Sequence, residues 1–390
     1  MGDKTKISWT DATWNPATGC TPVSDGCPNC YAARYAMRRI GDFAPECTTL
    51  DSTYVPIVKP RRFSEVRTHP DRLETPLHWR KPRRIFVCSM GDWRHPNVPM
   101  GFAMQILAIA ALCPQHTFQF LTKRADRQLA TLASVDARDW CFDSAQKILH
   151  DRREKDIRDM SWDMPAWPLP NVWLGVTCEN QAAADERIPL LLQTPAAVRF
   201  VSCEPMLGPI DIGRFVGLPG AKTDDPGGRC ANCGKEANKS EHRITDNLYD
   251  GEWACSELCD AQLEKLGCPL EHKPLSWVIA GGETGPGARA MNPDWVRSLR
   301  DQCQAAGVAF HLKQLGEWTG CGTLTPDETF SGSASFNASY GTVCASFIYR
   351  RPDKFQMMDD GEIMQRVGKK AAGRMLDDRE WLEFPDRRLL

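Results

Sequence analysis

Six short runs of apolar residues recur along the chain, and stretches with helical periodicity lie between them. The runs are four to six residues long and contain few polar positions. They are Ile85–Cys88, Thr117–Leu121, Val172–Thr177, Val198–Cys203, Trp277–Ala280 and Val308–Leu312. Short, nearly continuous apolar runs are typical of parallel strands whose two faces are both covered.

Helical patterns alternate with these runs. The predicted helices are Tyr31–Ile40, Met100–Leu112, Arg124–Ala133, Gln181–Leu192 and Pro293–Ala306. Strands that alternate with helices over such a length predict an α/β fold in which a parallel sheet forms a partial or full (β/α) barrel.

Four stretches break the alternation. Asp136–Pro170 and Thr319–Thr342 are interpreted as loops, and Arg351–Leu390 as a short helical closure. Gly217–Pro274 separates the fourth run from the fifth and is interpreted as an insert. The predicted organisation is a barrel over residues 1–216 and 275–318, an insert over 217–274, and a C-terminal loop and tail extension over 319–390.

Each apolar run ends in polar residues. The strands of an αβ barrel all point their C-terminal ends to one face, where the chemistry collects. A single polar strand end is often only a helix cap, but six in succession favour a common pocket. From this set, the candidate catalytic residues are Lys123, Glu179, Glu204 and Lys313. Charged groups near a barrel mouth are also often just solvated or paired.

Composition and charge narrow the class of protein. Of 390 residues, 42% are hydrophobic and 25% are charged, which excludes a wholly disordered chain. The formal net charge of −2 argues against a protein that binds nucleic acid through bulk positive charge. No apolar run reaches the roughly 18 residues of a membrane span. Residues 1–6 are not followed by the apolar segment of a secretory signal, so we expect a cytoplasmic protein without membrane contact.

Cysteine is the most informative residue type. The chain has 17 cysteines and no export signal, which favours metal binding over a disulfide framework. Cys20, Cys27 and Cys30 have the spacing Cys-x6-Cys-x2-Cys and directly precede a predicted helix. Three thiolates can hold three irons of a four-iron cluster and leave the fourth iron open to a ligand. A structural zinc site would need a fourth ligand, which Cys47 could supply.

The segment around these cysteines resembles the radical S-adenosylmethionine (radical SAM) superfamily, and more closely a branch carried by phages and prophages. The matching stretches are Trp14–Tyr31, Ser89–Asp92, Leu121–Arg124, Leu174–Asn180, Ser202–Ile210, Val278–Met291, Lys313–Trp318 and the ending Gly368–Pro385. They span most of the chain apart from the inserts. The superfamily normally spaces its cysteines Cys-x3-Cys-x2-Cys, so the first gap is wider here.

The resemblance implies a radical SAM-type barrel in which Cys20, Cys27 and Cys30 ligate a [4Fe–4S] cluster. The fourth iron would chelate the amino and carboxylate groups of S-adenosylmethionine. One electron, from a donor of flavodoxin or ferredoxin type, would then release methionine and a 5′-deoxyadenosyl radical that abstracts hydrogen from the substrate.

The resemblance also points to two turns that would contact S-adenosylmethionine. Ser89, Gly91 and Asp92 occupy the turn that the superfamily sets against the methionine amino group. The later turn of Gly281, Gly282 and Glu283 is expected to border the adenosyl group or the substrate. Glycine has a purely structural explanation in each turn as well.

A second cysteine cluster lies in the insert. Cys230 and Cys233 form one pair, and Cys255 and Cys259 form another that leads into a helix. Two such pairs indicate a structural zinc site, and their form resembles a treble-clef finger. Binding Zn²⁺ would fold an insert too small to hold a core alone. A second iron–sulfur cluster is the alternative, and Cys268 is a possible substitute ligand.

Two basic runs, Lys59–Arg62 and Arg80–Arg84, contain proline and are interpreted as exposed loops. Most such runs are solvated surface, but they could hold the phosphates of a nucleic acid or nucleotide. Trp79, Trp93 and His95 lie near the second run and could stack on bases.

The leading functional hypothesis is a radical SAM enzyme that modifies a nucleobase, as in phage-type thymidine hypermodification, with isomerase as the reaction class. If phage-encoded, it would act in the host cytoplasm. Alternative enzymes are a DNA-lesion lyase of spore-photoproduct type and a base methylating or methylthiolating enzyme. An alternative of another class is a non-enzymatic, zinc-stabilised adaptor that binds nucleic acid.

Overall fold

A computed structural model describes residues 5–38, 46–50, 56–59, 62–153, 165–216, 275–323, 335–338, 341–344 and 353–385. These residues form a mixed α/β fold around a seven-stranded parallel sheet that curls into a half barrel. The prediction of a parallel α/β fold is therefore confirmed, and the sheet is compatible with a partial rather than a full barrel.

The seven strands lie side by side in chain order, and each pairs in parallel with the next. They are β1 (Ala12–Trp14), β2 (Arg84–Val87), β3 (Thr117–Thr122), β4 (Val172–Thr177), β5 (Val198–Cys203), β6 (Trp277–Gly281) and β7 (Ala309–Gln314). All six predicted strands are confirmed to within two residues at each end. The sequence analysis missed β1, because three residues are too few to show a period.

The helices of the described residues are α1 (Tyr31–Arg38), α2 (Met100–Ala111), α3 (Ala125–Leu132), α4 (Ala137–Arg153), α5 (Gln181–Leu192), α6 (Pro293–Ala306) and α7 (Lys369–Ala372). The five predicted helices are confirmed, and local signals explain their ends. The Asn180 side chain caps α5 by accepting from the Ala183 N–H at 3.0 Å. Gly307, at φ 62°, ends α6 in the left-handed conformation.

Shorter elements complete the described fold. Antiparallel pairs join Ala17–Thr18 to Arg67–Thr68 and Glu46–Leu50 to Pro56–Lys59. Three 3₁₀ turns cover Pro70–Arg72, Thr75–His78 and Gly213–Phe215.

Residues 137–153 form α4, so the interpretation of Asp136–Pro170 as a loop is wrong for this part. The high charge of the segment hides an apolar stripe. Ala137, Cys141, Ala145 and Leu149 recur every four residues, and all four are buried. A stripe at this spacing lies on one side of a helix, and α4 packs against α2.

The region after β7 contains strands where a loop is predicted, so that prediction is wrong for the described residues. The helical closure predicted for Arg351–Leu390 is confirmed only over the short helix α7, because strands form the rest of its regular structure. Trp318–Thr323 pairs antiparallel with Glu362–Arg366, which pairs on its other side with Phe355–Met357. Two further antiparallel pairs join Ser335–Ala338 to Gly341–Cys344 and Met375–Leu376 to Arg379–Glu380. Trp318 and Met364 are buried in one apolar cluster. The pairing of Trp318–Thr323 with Glu362–Arg366 joins segments far apart in the chain, and a local sequence pattern does not reveal it.

The two faces of the half barrel differ in what covers them. Alternate residues such as Phe118, Phe120 and Leu174 belong to the large core on the helix side. The residues between them face the concave side, where Trp173, Phe200 and other apolar side chains form a separate cluster. That cluster also contains Trp9, Phe86, Val198, Trp277 and Ile279. These bulky side chains fill the N-terminal part of the concave face and keep water out of it.

Gly175 in β4 makes room for this aromatic cluster. A Cβ atom at Gly175 would lie 2.5 Å from the Phe200 ring. Gly175→Val should therefore lower the free energy of unfolding by about 1–3 kcal/mol, because the core cannot absorb the added methyl groups. Urea denaturation measures the change.

Gly101→Ala is the control for that measurement. No atom lies within 4 Å of the position that its Cβ would take in α2, so we expect a gain of about 0.4–1 kcal/mol. Equal stability of Gly175→Val and wild type would contradict the packing described for β4.

His311 in β7 is buried on the concave side. Its Nε2 lies 2.9 Å from the Ser8 hydroxyl, and its ring packs edge-on against Trp277. Burial, together with the Lys313 cation, lowers the pKa of His311 to about 4. The imidazole is therefore neutral in the folded protein at pH values where a solvated histidine becomes charged.

Acid should destabilise the protein through His311. Between pH 6.5 and pH 4 the unfolded chain binds a proton at this residue that the folded chain does not, so stability falls as the pH falls through this window. The loss amounts to about 3 kcal/mol. His311→Gln keeps a partner for Ser8 and should remove this part of the pH dependence. Unfolding free energies of both proteins at pH 7 and pH 4.5 test this, and identical pH slopes would contradict it.

Candidate functional site

The candidate catalytic residues share one side of the half barrel. Side chains alternate between the two faces of a strand. Because Phe200 and His311 face the concave side, Glu204 and Lys313, an even number of residues further along, face it as well. Lys313 Nζ lies 2.9 Å from Glu204 Oε1. Lys123 and Glu179, which follow the neighbouring strands β3 and β4, form a second ion pair. We call this region the mouth. It is formed by residues that end or follow the strands, namely 88–92, 123–124, 178–180, 204, 282–283 and 313–317.

The cysteine loop, residues 19–30, lies across the mouth. Its first anchor is a backbone bridge between Gly19 and Gly91, with the Gly19 N–H donating to the Met90 carbonyl at 2.9 Å. Gly19 has φ +91°, and a Cβ there would lie 2.7 Å from the Glu65 carbonyl oxygen. A Cβ on Gly91 would lie 3.0 Å from the Gly19 carbonyl oxygen. Both glycines therefore permit the close backbone approach that holds the loop at the end of β2.

Three polar groups surround the Cys27 sulfur. The Val23 N–H lies 3.4 Å from Cys27 Sγ, the Ser24 hydroxyl 3.5 Å and Lys123 Nζ 3.8 Å. Burial alone would raise the pKa of the Cys27 thiol, but the Lys123 cation and the two other groups hold it below its usual value. The surroundings of Cys27 thus favour a thiolate, which is the form that binds metal.

Arg124 connects Cys20 to the end of β2. Its Nη1 lies 3.5 Å from Cys20 Sγ and 2.8 Å from Asp92 Oδ2, while Nη2 donates to the Thr21 carbonyl at 3.0 Å. Burial and the Asp92 charge raise the pKa of the Cys20 thiol to about 11, although Arg124 opposes this. Cys20 therefore needs a bound metal ion to become a thiolate near neutral pH.

Glu179 is the most buried carboxylate at the mouth, with 1% of the side chain exposed. One oxygen accepts from Lys123 and Ser24, and the other from Arg187 at 2.9 Å. Although burial would raise the pKa of Glu179, the two cations hold it below its usual value. A Cβ on Gly26 would lie 2.7 Å from Glu179, so glycine is needed beside Cys27. Glu179 therefore anchors the middle of the cysteine loop.

Glu283 anchors the end of the cysteine loop. Its carboxylate accepts from the Asn29 amide at 2.9 Å and from both ends of the Arg289 guanidinium at 2.6 and 3.0 Å. Burial would raise the pKa of Glu283, but these hydrogen bonds lower it. Beside Cys30, the Tyr31 hydroxyl donates to the Ser89 carbonyl at 2.6 Å.

The turn after β2 is held by internal contacts. The Ser89 hydroxyl donates to the Asn15 side chain at 3.2 Å. Both oxygens of Asp92 accept from Thr122, and one also accepts from Arg124. Asp92 is 5% exposed, so the predicted contact with an ammonium group would compete with these bonds. In the geometry described here Asp92 orients Arg124, and its role toward S-adenosylmethionine stays a prediction.

The glycines at the end of β6 also permit close approaches. A Cβ on Gly281 would lie 2.6 Å from Glu204 Oε1, and one on Gly282 would overlap the Leu315 carbonyl. The turn therefore packs against the ends of β5 and β7. Lys369 lies near the Glu204–Lys313 pair, and burial, together with the Lys313 charge, lowers the pKa of Lys369.

The thiols of the cysteine loop differ from the other cysteines in the described part of the chain. Nine cysteines have described side chains and all nine are free, but of these only Cys20, Cys27 and Cys30 are not buried. Four sulfurs on one zinc ion would lie about 3.8 Å apart, because each Zn–S bond is about 2.3 Å. Within the described ranges, the single trio of potential metal ligands with atoms within 4.8 Å of one another is Asp294, Asp360 and Glu362. The three thiols of the cysteine loop therefore do not all lie within that distance of one another.

The sequence was also compared with known proteins. The sequence model of one family, described as "Protein of unknown function (DUF5131)", matches residues 4–385. The chain belongs to the DUF5131 family. The match includes the cysteine loop, the whole mouth and the insert. No curated protein and no solved structure matches the chain.

Part of the base-stacking surface predicted for this DUF5131 protein is wrong. Arg80–Arg84 runs into β2 at the N-terminal edge of the sheet, opposite the mouth, where Arg84 pairs with Asp11 at 3.0 Å. The predicted role of this run in holding phosphates stays a prediction. Trp93 and His95 are 0% and 3% exposed, so they cannot stack on bases. No helix among the described residues is both long and apolar enough to cross a membrane.

The predicted zinc ligands Cys230, Cys233, Cys255 and Cys259 lie outside the described residues, and the zinc site stays a prediction. The sequence analysis missed several residues that hold the cysteine loop. Ser24 and Asn29 lie within the loop, where the cysteines alone drew attention. Arg187 binds the carboxylate of Glu179, eight residues away, and Arg289 binds that of Glu283, six residues away. In each pair it is the fold that brings the two side chains together.

Proposed function

We propose that this DUF5131 protein is a radical SAM enzyme in which Cys20, Cys27 and Cys30 hold a [4Fe–4S] cluster. One observation carries the proposal. Three free, partly exposed thiols occur in a single loop across the C-terminal edge of a parallel half barrel. Two of the sulfurs have cationic partners from the end of β3. This edge is where αβ barrels collect their chemistry.

The fit of the donor set supports a cluster with S-adenosylmethionine as its further ligand. A reduced cluster of this type, with S-adenosylmethionine bound, supplies a carbon radical that abstracts hydrogen from unactivated positions. The chain itself would contribute orientation and exclusion of water. The ion pairs of Glu179 and Glu283 hold the loop, and the aromatic cluster closes the barrel behind it.

We infer a nucleobase, in DNA or in a nucleotide, as the substrate class, and an isomerase as the reaction class. The charge near the mouth supports an anionic substrate. Arg34 donates to the Thr284 and Pro286 carbonyls, which leave its charge without a carboxylate partner among the described residues, and Lys369 lies near the Glu204–Lys313 pair. Tyr31, half-exposed beside Cys30, offers a ring on which a base could stack.

Two further components belong to the proposal. The reaction needs a one-electron donor, for which a flavodoxin or a ferredoxin is suitable. Zn²⁺ held by Cys230, Cys233, Cys255 and Cys259 would stabilise the insert. Both rest on the sequence and on the resemblance to the radical SAM superfamily.

Anaerobic purification tests the chemistry directly. The protein should be brown, contain about four iron and four sulfide ions in its cluster and, once reduced with dithionite, cleave S-adenosylmethionine to methionine and 5′-deoxyadenosine. Metal analysis should also find zinc. A colourless protein that binds zinc alone would contradict the proposal and favour the non-enzymatic adaptor.

Nucleoside analysis tests the substrate. DNA from cells that express the protein should contain a nucleoside of altered structure, which mass spectrometry and chromatography detect. An isomer with unchanged mass would support the isomerase. A mass increase by a methyl or methylthio group, or the loss of a dimeric photoproduct, would identify one of the alternative reactions.

A further inference from the structure

Two consecutive cations at the end of β3 contact two of the three sulfurs. Lys123 Nζ lies 3.8 Å from Cys27 Sγ, and Arg124 Nη1 lies 3.5 Å from Cys20 Sγ. Adjacent residues beyond a strand end would normally diverge. Here the alternation along the strand directs the Lys123 side chain to the concave face, whereas Arg124 is the N-cap residue of α3.

Each cation is held in this position by a carboxylate. Glu179 binds Lys123, and its other oxygen is fixed by Arg187 at 2.9 Å. Asp92 binds Arg124 at 2.8 Å, and both of those side chains are only 7% exposed. The cations therefore need no rearrangement to stay near the sulfurs. Their low exposure also limits screening by water and salt.

We propose that Lys123 and Arg124 raise the reduction potential of the cluster bound by the cysteine loop. The inference rests on the proposed function, since it requires that cluster. Reduction adds one electron from an external one-electron donor and makes the iron–sulfur assembly more negative by one charge, with no bond broken in the protein. A cation in contact with a ligand sulfur stabilises the more negative state more strongly. Net charge and hydrogen bonds to the sulfurs are known determinants of such potentials.

The test compares single-charge variants of the reconstituted, full-length protein. Lys123→Gln and Arg124→Gln each remove one positive charge but keep N–H donors. Lys370→Gln removes the same charge from an exposed lysine beyond β7 and is the matched control. Potentials are measured by redox titration followed by electron paramagnetic resonance, with iron content and melting temperature determined for every sample.

Each of the two test variants should be about tenfold harder to reduce at equilibrium, which corresponds to a potential about 59 mV more negative. The control should match wild type. Lys123→Arg and Arg124→Lys keep the charge and should stay closer to wild type than the glutamine variants, which separates a charge effect from a general disturbance of the loop.

The outcomes separate this inference from the proposed function. A wild-type protein that takes up no cluster would overturn both. A wild-type cluster whose potential changes no more in Lys123→Gln and Arg124→Gln than in Lys370→Gln would overturn the inference alone. If one glutamine variant fails to fold, the other glutamine variant and the two charge-preserving variants decide. A potential that falls equally in Lys123→Arg and Lys123→Gln would also overturn it.

Discussion

Replacing any one of Cys20, Cys27 and Cys30 by alanine should strip the protein of its iron and of S-adenosylmethionine cleavage. Each residue would supply the thiolate for a different iron, and alanine offers no ligand atom. Loss of an outer-shell partner alone typically costs 10- to 100-fold in metal affinity, so loss of a ligand should cost more than about 100-fold. Iron and sulfide analysis with visible absorption measures the first effect, and detection of 5′-deoxyadenosine measures the second.

Cys141→Ala is the matched control for these variants. Cys141 lies in α4, is 3% exposed and has no part in the mouth. The control should keep the iron and the activity of the wild-type protein, with at most a modest fall in melting temperature. Wild-type iron content in all three loop variants would contradict the assignment of the cluster.

Glu179→Leu should produce the largest loss of stability among the variants considered. The substitution leaves the buried Arg187 guanidinium, with 5% of its side chain exposed, and Lys123 without their shared carboxylate. Removing one partner of a buried ion pair typically lowers the free energy of unfolding by about 3–5 kcal/mol. Urea denaturation of the variant measures this loss.

The control for Glu179→Leu lies on α5. Asp185 pairs with Arg214, but 43% and 35% of these side chains are exposed, so water screens the pair. Asp185→Asn should cost about 0–1 kcal/mol. If Glu179→Leu were no more destabilising than Asp185→Asn, the carboxylate would not anchor the cysteine loop as described.

The lowered pKa values bear on the roles predicted for the carboxylates at the mouth. Cations and hydrogen bonds lower the pKa of Glu179 and of Glu283, so both are ionised near neutral pH. An ionised carboxylate accepts protons and hydrogen bonds but does not act as a general acid. Their contacts assign these residues first to holding the loop, whereas Glu204 and Lys313 pair with each other near Lys369.

The strands and helices of the half barrel could be predicted because their signals are local. β4 and β6 are buried along their whole length, and their sequences are correspondingly continuous in apolar residues. Polar residues at successive strand ends also indicated a shared site, because the C-terminal ends of parallel strands lie at one edge of the sheet. The helix α4 escaped prediction because the high charge of its segment hides the apolar stripe, and Trp318–Thr323 did so because it pairs with a segment far along the chain.

The sequence by itself determined the alternation of strands and helices, the three thiols in one loop, and the side of the sheet on which the polar strand ends lie. These follow from spacing along the chain and from strand geometry. Only the tertiary structure decided which charges meet. Lys123 and Arg124 reach sulfurs about 100 residues away, and Asn29 reaches Glu283 across 254 residues. Such pairings depend on the curl of the sheet and on desolvation at its edge, which no local pattern encodes.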